Sequence, residues 1–252
     1  MSRRRESWRA PMRNVLVTGG SRGIGLAIAR RLAASGYHVI AVARRESDDL
    51  QRAMREVGSD CLHFKPFDLS EVDAIPAFVK TVRDQFGAIY GLVNNAGTSS
   101  EGLLATMHNS GIEAQIRLNV LSPIVLTKYV VRQMMADGAG RIVNISSIIA
   151  STGYNGLSVY GATKAAATGF TRSLAREVGK LGITVNAIAP GFIDTELTQS
   201  LSEEDRQRIA GRSALRRLPE PDDVASMVEY LLGDGGRNIT GTVLTVDAGN
   251  TA

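Results

Sequence analysis

Runs of apolar residues alternate along the chain with segments of helical periodicity. The first run, residues 14–18 (NVLVT), is short, rich in β-branched residues and followed by glycines, which favours a buried strand. Six similar runs follow, at residues 38–43, 61–65, 89–94, 141–145, 184–189 and 243–246. Seven apolar strands separated by helices predict a parallel sheet of the α/β class.

The segments between these strands predict the helices. A glycine-rich turn at residues 19–25 opens the first helix, which extends to about residue 35, and Pro221 starts the last one. Helices are also expected at about residues 49–57, 72–86, 112–135 and 160–179. Residues 195–218 are polar and charged, which predicts an excursion over a site. No repeat or linker divides the chain, so residues 13–252 are expected to form a single domain.

Composition and charge fit one compact domain. Of the 252 residues, 44% are hydrophobic and 26 are glycine. The net charge of +4 comes from residues 1–13, which hold five arginines and one glutamate, leaving 24 of the 29 basic and 24 of the 25 acidic residues for the rest. We therefore expect residues 1–12 to form a disordered basic arm, with no nucleic-acid partner. Met12, directly before the first strand, is a candidate natural start.

The single cysteine and the short apolar runs indicate the cellular compartment in which the protein is expected. Cys61 is the single cysteine, which excludes an internal disulfide. No apolar stretch follows the N-terminal arginines, and no run is long enough to cross a bilayer, so neither a secretory signal nor a membrane partner is expected. A reducing cytoplasm is the expected location.

Three residues between the fifth strand and the following helix suggest acid–base chemistry. Tyr160 and Lys164 lie four residues apart, so their side chains share one helix face. A free tyrosine titrates near pH ~10, and a neighbouring ammonium group favours its phenolate. Ser147 leaves the strand where its hydroxyl could bind a carbonyl or alcohol oxygen whose proton Tyr160 gives or takes. Alone, Tyr160 and Lys164 would also fit a core tyrosine beside a solvated lysine.

The first turn, TGGSRGIG at residues 18–25, meets the requirements of a pyrophosphate site. Its glycines let the backbone bend and approach a ligand, and the helix that follows presents free N–H groups. Glycine-rich turns also serve to pack a helix on a strand, but the position between the first strand and a helix is the context that the motif needs.

Several motifs in this order resemble the short-chain dehydrogenase/reductase family in its classical form. They are TGGSRGIG, NNAG at residues 94–97, Asn119, the set Ser147, Tyr160 and Lys164, and the pair Pro190 and Gly191. The resemblance implies a Rossmann-type, doubly wound sheet of seven parallel strands with helices on both faces. It also implies a nicotinamide nucleotide across the carboxyl ends of the strands.

The resemblance implies roles for four catalytic residues. Tyr160 would be the acid/base, Lys164 would bind the nicotinamide ribose and lower the pKa of Tyr160, and Ser147 would orient the carbonyl. Asn119 would hold a water that links Lys164 to solvent, although a polar residue there could also merely distort a helix. No metal is expected.

The same resemblance implies the cofactor contacts. They are Gly19, Ser21, Arg22, Gly23, Ile24, Gly25, Arg44, Asp68, Asn95, Ala96, Gly97, Tyr160, Lys164, Pro190, Gly191, Ile193 and Thr195. Asp68 is similar to the aspartate that contacts adenine in the family, but it could equally cap the next helix. Asn94 has a plausible structural role in fixing the neighbouring strand and loop.

The end of the second strand predicts NADPH as the cofactor. Proteins that prefer NAD usually carry an acid there, which binds the ribose 2′-hydroxyl and repels a 2′-phosphate. This chain has Ala43, followed by Arg44 and Arg45, and Arg22 lies in the glycine turn. Because guanidinium groups bind phosphate through charge-assisted hydrogen bonds, we expect NADPH to be preferred, with Arg44 as the main discriminator.

Within the family, longer segments between Val17 and Gly249 resemble the 3-oxoacyl-acyl-carrier-protein reductases of fatty acid biosynthesis. This implies reduction of a 3-oxoacyl thioester. Reductases of acetoacetyl-CoA or of another small ketone or alcohol share many of the same sequence segments and remain an alternative. A non-catalytic NADP(H)-sensing protein is a more remote one, because a sensor does not need the complete catalytic set.

The resemblance also bears on partners. Carrier-protein reductases often have basic residues before the fifth strand that meet an acidic carrier, but this chain has ADGAG at residues 136–140. Docking of acyl carrier protein would then rely on Arg141, Arg172 and Arg176, for which the alternative is that they are ordinary solvated charges. The resemblance to the family implies a homotetramer whose subunit contacts are formed by the helix at 112–135, the Tyr160 helix and the last strand.

Overall fold

The computed structural model describes residues 12–58, 60–193 and 203–252, and within them a single sheet of seven strands. The strands are β1 Asn14–Thr18, β2 His38–Ala43, β3 Leu62–Pro66, β4 Ile89–Asn94, β5 Gly140–Ile145, β6 Ile183–Pro190 and β7 Val243–Val246. Their order is β3-β2-β1-β4-β5-β6-β7, and every neighbouring pair is parallel. The predicted seven-stranded parallel sheet is confirmed.

Nine α-helices surround the sheet in the described ranges. They are α1 Gly23–Ala34, α2 Asp48–Val57, α3 Ile75–Phe86, α4 Asn109–Ile116, α5 Ser122–Asp137, α6 Ile149–Thr152, α7 Ser158–Val178, α8 Glu203–Arg212 and α9 Pro221–Leu232. Short 3₁₀ turns lie at Val72–Ala74, Leu104–Thr106, Gly179–Leu181 and Asp234–Gly236. None of the helices described is both long enough and apolar enough to span a membrane.

The helices cover both faces of the sheet, as a doubly wound fold requires. On one face α1, α2 and α9 pack through residues such as Leu32, Leu50 and Val228, all fully buried. On the other face α3, α5 and α7 contribute a second cluster, which includes Ile75 and Leu126. Burial of these apolar stripes is the main stabilising term of such a fold.

The strand order reverses between β1 and β4, because β1 lies between β2 and β4. Connections from the two strands therefore leave the sheet on opposite faces and open a crevice at the carboxyl ends. In open α/β sheets, ligands bind at this switch point. The topology thus brings the loops after β1, β4 and β5 together at one edge, which we call the carboxyl edge.

Two predicted elements differ in the structure. The helix expected at 112–135 is two α-helices, α4 and α5, joined by a π-helix at Arg117–Leu121. The polar segment 195–218, expected as an excursion, contains α8 from Glu203. Residues 194–202 lie outside the described residues, as do residues 1–11 of the expected basic arm.

A pair of histidines lies at the opposite, amino edge of the sheet. The Asn14 amide donates to the carbonyls of Phe86 (2.7 Å) and Ala88 (2.9 Å), so its oxygen must accept from His38 Nδ1–H (2.6 Å). In neutral His38, Nε2 is then an acceptor for His63 Nε2–H, 2.6 Å away. Burial, followed by the charge of His63, lowers the pKa of His38, and Asp60 opposes this shift.

This arrangement predicts that the protein loses stability in mild acid. Because the pKa of His38 is lower in the folded than in the unfolded chain, its contribution is complete above the unfolded value of about 6.5 and is lost as pH falls through the folded value. We expect the urea midpoint to fall between about pH 7 and pH 5, and His38→Gln to reduce that dependence. The third histidine, exposed His108, provides the control, since His108→Gln should leave the dependence in place. An unchanged slope in His38→Gln would contradict the assignment.

Candidate active site

Thr18, the last residue of β1, joins the glycine turn to the loop after β4. Its hydroxyl accepts hydrogen bonds from the backbone N–H of Asn95 (2.9 Å) and of Ala96 (3.0 Å) and donates to the Val93 carbonyl (3.2 Å). The Asn95 side chain donates to the carbonyls of Thr18 (2.9 Å) and Gly19 (3.3 Å). These bonds fix the two loops that flank the switch point. The sequence analysis did not assign a role to Thr18, because a threonine that ends a strand carries no distinguishing signal.

The glycine turn is packed tightly against itself. A Cβ on Gly25 would lie 2.1 Å from the Gly19 carbonyl oxygen, so only glycine fits there. Helix α1 begins at Gly23, and no side chain caps its first turn. The amino end of α1 thus keeps backbone N–H groups and a partial positive charge available to an anion.

The loop after β2 is attached to this turn by Ser47. The Ser47 hydroxyl caps α2 by accepting from Leu50 N–H (3.1 Å), and it also donates to the Ser21 carbonyl. Arg44 lies three residues before Ser47, exposed at the carboxyl edge, as Arg22 is. The bond from Ser47 therefore places the two predicted phosphate-binding arginines on adjoining loops. Sequence reasoning missed Ser47, because a serine before a helix is indistinguishable from an ordinary cap.

Asp68 follows β3 at the same edge. Its carboxylate accepts from the Ser70 N–H (2.9 Å) and the Ser70 hydroxyl (2.7 Å), which fixes the turn that leads into the 3₁₀ segment at Val72–Ala74. These two bonds, opposed by burial and assisted by the charge of Arg44, lower the pKa of Asp68. The carboxylate therefore stabilises this turn and does not cap the next helix, whose N-cap residue is Ala74, and it lies within the electrostatic reach of Arg44. Its contact with adenine stays a prediction.

Ser147 and Tyr160 are brought together from two elements. Ser147 follows the end of β5, is buried, and accepts from Ile149 N–H (3.2 Å). Tyr160 lies in the first turn of α7 and is partly buried, with its hydroxyl close enough to the Ser147 hydroxyl for that group to act on its pKa. The two hydroxyls therefore converge at the carboxyl edge, where one carbonyl oxygen can contact both.

Lys164 lies one turn further along α7 and is only 7% exposed. Its ammonium group donates to the Ile145 carbonyl (2.9 Å) and lies 5.5 Å from the centre of the Tyr160 ring. Burial lowers the pKa of Lys164 to about 8. The Ser146 hydroxyl donates to the Lys164 carbonyl (2.9 Å) and fixes this part of α7 on β5.

The pKa of Tyr160 differs from the sequence expectation. Burial raises it, and the hydrogen bond with Ser147 opposes the rise. The expected lowering by Lys164 is not seen, and the ammonium group donates a hydrogen bond to the Ile145 carbonyl. Tyr160 is therefore protonated at neutral pH and can act as a proton donor.

Asn119 lies inside the π-helix at Arg117–Leu121 and is buried. Its amide oxygen accepts from Thr98 N–H (2.9 Å), and its amide nitrogen donates to the Thr98 carbonyl (2.8 Å) and the Thr163 hydroxyl (3.1 Å). A Cβ on Gly97 would lie 3.2 Å from the Asn119 oxygen and 3.6 Å from Lys164 Nζ, so a side chain would crowd both groups. Asn119 thus joins the loop after β4 to α7, and π-helical segments are frequent at functional sites.

Comparisons with known proteins agree with this geometry. The family model described as short chain dehydrogenase matches residues 13–206. The chain belongs to the short-chain dehydrogenase family. The 3-oxoacyl-acyl-carrier-protein reductase FabG of Escherichia coli K12 is 39% identical over 234 residues, which cover 93% of this chain and 95% of that protein. The enzyme of the same name from Pseudomonas aeruginosa PAO1 is 38% identical over 236 residues, with the same shares covered.

A solved structure supports the fold independently. The crystal structure of a putative gluconate dehydrogenase from Agrobacterium tumefaciens matches with a TM-score of 0.90 and 27% identity, over 94% of this chain and 95% of that one. Membership of the short-chain dehydrogenase family makes this protein an oxidoreductase that acts on CH–OH and C=O groups and uses a nicotinamide cofactor.

The residues of this short-chain dehydrogenase fit such a cofactor. The amino end of α1, where the side chain of the N-cap residue Arg22 makes no capping bond, presents backbone N–H groups that a pyrophosphate can approach. At the far end of the site, Gly191 N–H donates to the Val246 carbonyl (2.9 Å), and the Pro190 carbonyl accepts from Ile148 N–H (3.0 Å). Ile193 is buried beyond them. Thr195 lies outside the described residues.

A small cavity lies beside Lys164 in the short-chain dehydrogenase and is lined by four polar and eight apolar residues. Its lining includes Asn94, Asn119, Asn144 and Lys164. Asn94 donates to the Thr127 hydroxyl (3.0 Å) and to the Asn144 oxygen (2.8 Å), which supports the structural role expected for it. Its own amide oxygen is buried without a partner in the described part of the chain. Polar lining and an unused acceptor suit an internal water. Among the residues described, no group of three His, Cys, Asp or Glu side chains is placed to hold a metal.

The three arginines expected to bind a carrier protein lie away from Tyr160 of the same chain. Arg141 is the second residue of β5, at the amino edge, where it donates to the Gly140 carbonyl (2.8 Å) and packs on the ring of Tyr90. Arg172 and Arg176 are exposed on α7, 12 and 16 residues beyond Tyr160, or about 18 and 24 Å along the helix axis. Because α7 runs from the carboxyl edge towards the amino edge, none of the three lies beside Tyr160 of the same chain.

Proposed function

We propose that this protein reduces the ketone of a 3-oxoacyl thioester to a secondary alcohol, with NADPH as reductant and acyl carrier protein as the group that delivers the substrate. The observation that carries the proposal is the pairing of the Ser147 and Tyr160 hydroxyls above a buried Lys164. The substrate class is supported by the 3-oxoacyl-acyl-carrier-protein reductases that are about 39% identical over nearly the whole chain.

The residues divide the work of the reaction. The nicotinamide, when bound, supplies the hydride that the carbonyl carbon accepts. Ser147 holds the carbonyl oxygen, and Tyr160 donates its proton to that oxygen as negative charge develops there. The raised pKa of Tyr160 suits reduction, since the hydroxyl is protonated at neutral pH before each turnover. Lys164 supplies a positive charge near Tyr160. The cavity lined by Asn119 and Lys164 offers a route by which a proton can return to Tyr160 after it has donated its own.

The cofactor preference rests on the loop after β2. Ala43 ends β2 without a carboxylate, and Arg44 and Arg22 are exposed on loops joined by Ser47. Two guanidinium groups at this place would bind the 2′-phosphate of NADPH through charge-assisted bonds.

An apolar rim beside Tyr160 supports a substrate with a hydrocarbon chain. Leu103 and Leu104, in the loop after β4, are 61% and 58% exposed. Gly102 N–H donates to the Gly156 carbonyl (3.0 Å), which joins this loop to the one that precedes Tyr160. Across that second loop, Tyr154 packs on Phe192 with ring centres 5.7 Å apart. Such exposed apolar side chains mark a binding surface.

A dehydrogenase of a small polar alcohol is the second candidate, favoured by the structural likeness to the putative gluconate dehydrogenase. A non-catalytic NADP(H) sensor is a third, but the complete set of Asn119, Ser147, Tyr160 and Lys164 argues against it. A hydrophilic polyol would gain little from the apolar rim at Leu103 and Leu104, so we favour the acyl substrate.

A turnover assay with three substrate types tests the proposal. We expect kcat/KM with NADPH to be highest for a 3-oxoacyl group on acyl carrier protein, lower for the CoA ester, and lowest for a small free ketone. Because carrier and CoA bring binding energy from parts that do not react, the order should appear in kcat/KM more clearly than in kcat. Equal or better turnover of small free ketones or polyols would contradict the proposal. Tight NADPH binding without turnover of any carbonyl compound would favour a sensor.

Assembly as a homotetramer in the cytoplasm belongs to the same proposal. Leu121, Ile124 and Met135 are each more than a third exposed and follow a helical spacing along the π-helix and α5. An apolar stripe of this kind on a helix surface suits a subunit contact.

A further inference from the structure

A short basic turn, residues 212–217, lies at the carboxyl edge and has no role in the site described above. Its backbone is attached to the segment after β7, where Leu215 N–H donates to the Ala248 carbonyl (3.0 Å) and Ala214 N–H to the Gly249 carbonyl (3.3 Å). β7 pairs with β6, and Gly191 at the end of β6 bonds to Val246. The basic turn therefore lies on the same edge of the sheet as Ser147 and Tyr160.

The basic turn carries concentrated positive charge. Residues 210–219 contain Arg212, Arg216 and Arg217 and no acidic residue. All three arginines are exposed, and none of their guanidinium groups forms a hydrogen bond or ion pair within the described ranges. In contrast, Arg208 one turn earlier pairs with Asp205 at 2.6 Å. Of the next acids in sequence, Glu220 and Asp223 are engaged in the capping box of α9, and Asp222 pairs with Arg31 at 2.7 Å.

The turn presents these groups in a fixed shape. Arg216 adopts a left-handed backbone conformation (φ +52°), which is unfavourable for a residue with a long side chain. Arg216 N–H donates to the carbonyl of Ser213 (2.9 Å), and Ser213 is buried beneath the turn. Leu215, 60% exposed, stands between the arginines. Local strain of this kind persists only where the surroundings hold it, and it is concentrated at binding sites.

We propose that the basic turn is the docking surface for the acidic carrier that delivers the acyl substrate, an inference that rests on the proposed function. A carrier must sit at the edge where its acyl arm can reach Tyr160, and this turn meets that condition within one chain. Unpaired guanidinium groups bind carboxylates in bidentate fashion, and an exposed leucine among charges matches the anatomy of a small protein interface. The site replaces the one expected at Arg141, Arg172 and Arg176.

Charge reversal in two places tests the proposal. Arg216→Glu with Arg217→Glu removes positive charge from the basic turn, and Arg172→Glu with Arg176→Glu makes the same change of net charge on α7. Each variant is assayed with a 3-oxoacyl carrier protein and with the N-acetylcysteamine thioester of the same acyl group, which has no carrier and no phosphate. We expect the first variant to lose at least ~10-fold in kcat/KM for the carrier substrate, mainly through KM, and less than ~2-fold for the small thioester. The α7 variant should change neither by more than ~2-fold.

Direct binding keeps the test independent of activity. Fluorescence anisotropy of a labelled carrier should show weaker binding to the first variant, and raising salt should weaken binding to the parent more than to the variant. Should the double glutamate variant fold poorly, Arg216→Asn with Arg217→Gln removes the charge with a residue that tolerates the left-handed conformation at 216. Its carrier binding should fall in the same direction.

The outcomes separate the docking site from the proposed function. If the parent shows no preference for the carrier substrate, the proposed function fails, and the docking site fails with it. If the parent prefers the carrier substrate but the basic-turn variants bind and reduce it normally, only the docking site is refuted. Selective loss in the α7 variant, or equal loss for both substrates in the basic-turn variant, would also overturn it.

Discussion

Replacing Tyr160 by phenylalanine is expected to lower kcat for ketone reduction by at least ~100-fold, while the dissociation constant of NADPH changes little. The substitution keeps the ring that packs in the first turn of α7 and deletes the single proton that the geometry places beside Ser147. Burial raises the pKa of this hydroxyl, so it is protonated at neutral pH before each turnover.

The measurement compares single-turnover rates with cofactor binding followed by fluorescence. Tyr230→Phe is the matched control, since it deletes the same group from an exposed position on α9 and should leave both quantities unchanged. The pH dependence gives a second readout. A rate that depends on proton donation should depend on pH in the parent and lose that dependence in Tyr160→Phe. Near-normal reduction by Tyr160→Phe would mean that the tyrosine is structural.

The five inner strands were predictable because they are mostly buried on both faces and therefore appear in the sequence as continuous apolar runs, whereas the edge strands β3 and β7 are only partly buried. The β1, β2, β4 and β7 bounds agree with the predicted ones, and the others differ by one residue. The π-helix at Arg117–Leu121 was not predictable, because its cause is not local. The Asn119 side chain bonds to Thr98, in a loop 21 residues earlier, and to Thr163 on α7.

The candidate active site likewise combines features that the sequence predicts with features that depend on contacts between distant elements. Helical spacing alone brings Tyr160 and Lys164 to one face, but the direction of each pKa depends on burial by other elements. Burial raises the pKa of Tyr160 and lowers that of Lys164 to about 8. Thr18 and Ser47, which fix the loops around the switch point, are ordinary residues in sequence and acquire a role only through contacts across the sheet.

The sequence also does not show at which edge of the sheet a given residue of a helix lies. The four-residue spacing of Arg172 and Arg176 correctly places both on one face of α7, yet it does not say at which edge of the sheet that part of the helix lies. The same reasoning passed over Arg216 and Arg217, since a pair of arginines in a polar segment resembles any solvated surface. Their place at the carboxyl edge follows from the backbone bonds to Ala248 and Gly249.

The cofactor preference is expected to reverse when the end of β2 is rewritten. In the parent, kcat/KM should be higher with NADPH than with NADH, because Arg44 and Arg22 can bind the 2′-phosphate. Ala43→Asp combined with Arg44→Ala removes one guanidinium group and adds a carboxylate that binds a 2′-hydroxyl and repels a phosphate. A charged hydrogen bond is worth about 1.5–3 kcal/mol, so loss and repulsion together should change the NADPH to NADH ratio by at least ~100-fold.

The geometry makes this reversal a sharp test of Arg44. Ala43 pairs in register with Pro66 of β3, so an aspartate there would project from the strand end beside the loop that carries Asp68. Arg45→Ala is the control, because it removes the neighbouring positive charge at an equally exposed position. A larger loss of NADPH preference in Arg45→Ala than in Arg44→Ala would move the phosphate contact to the next residue. Equal or better efficiency with NADH in the parent would contradict the NADPH proposal. The bond by which Ser47 attaches the loop of Arg44 to the glycine turn would then have a role other than binding the 2′-phosphate.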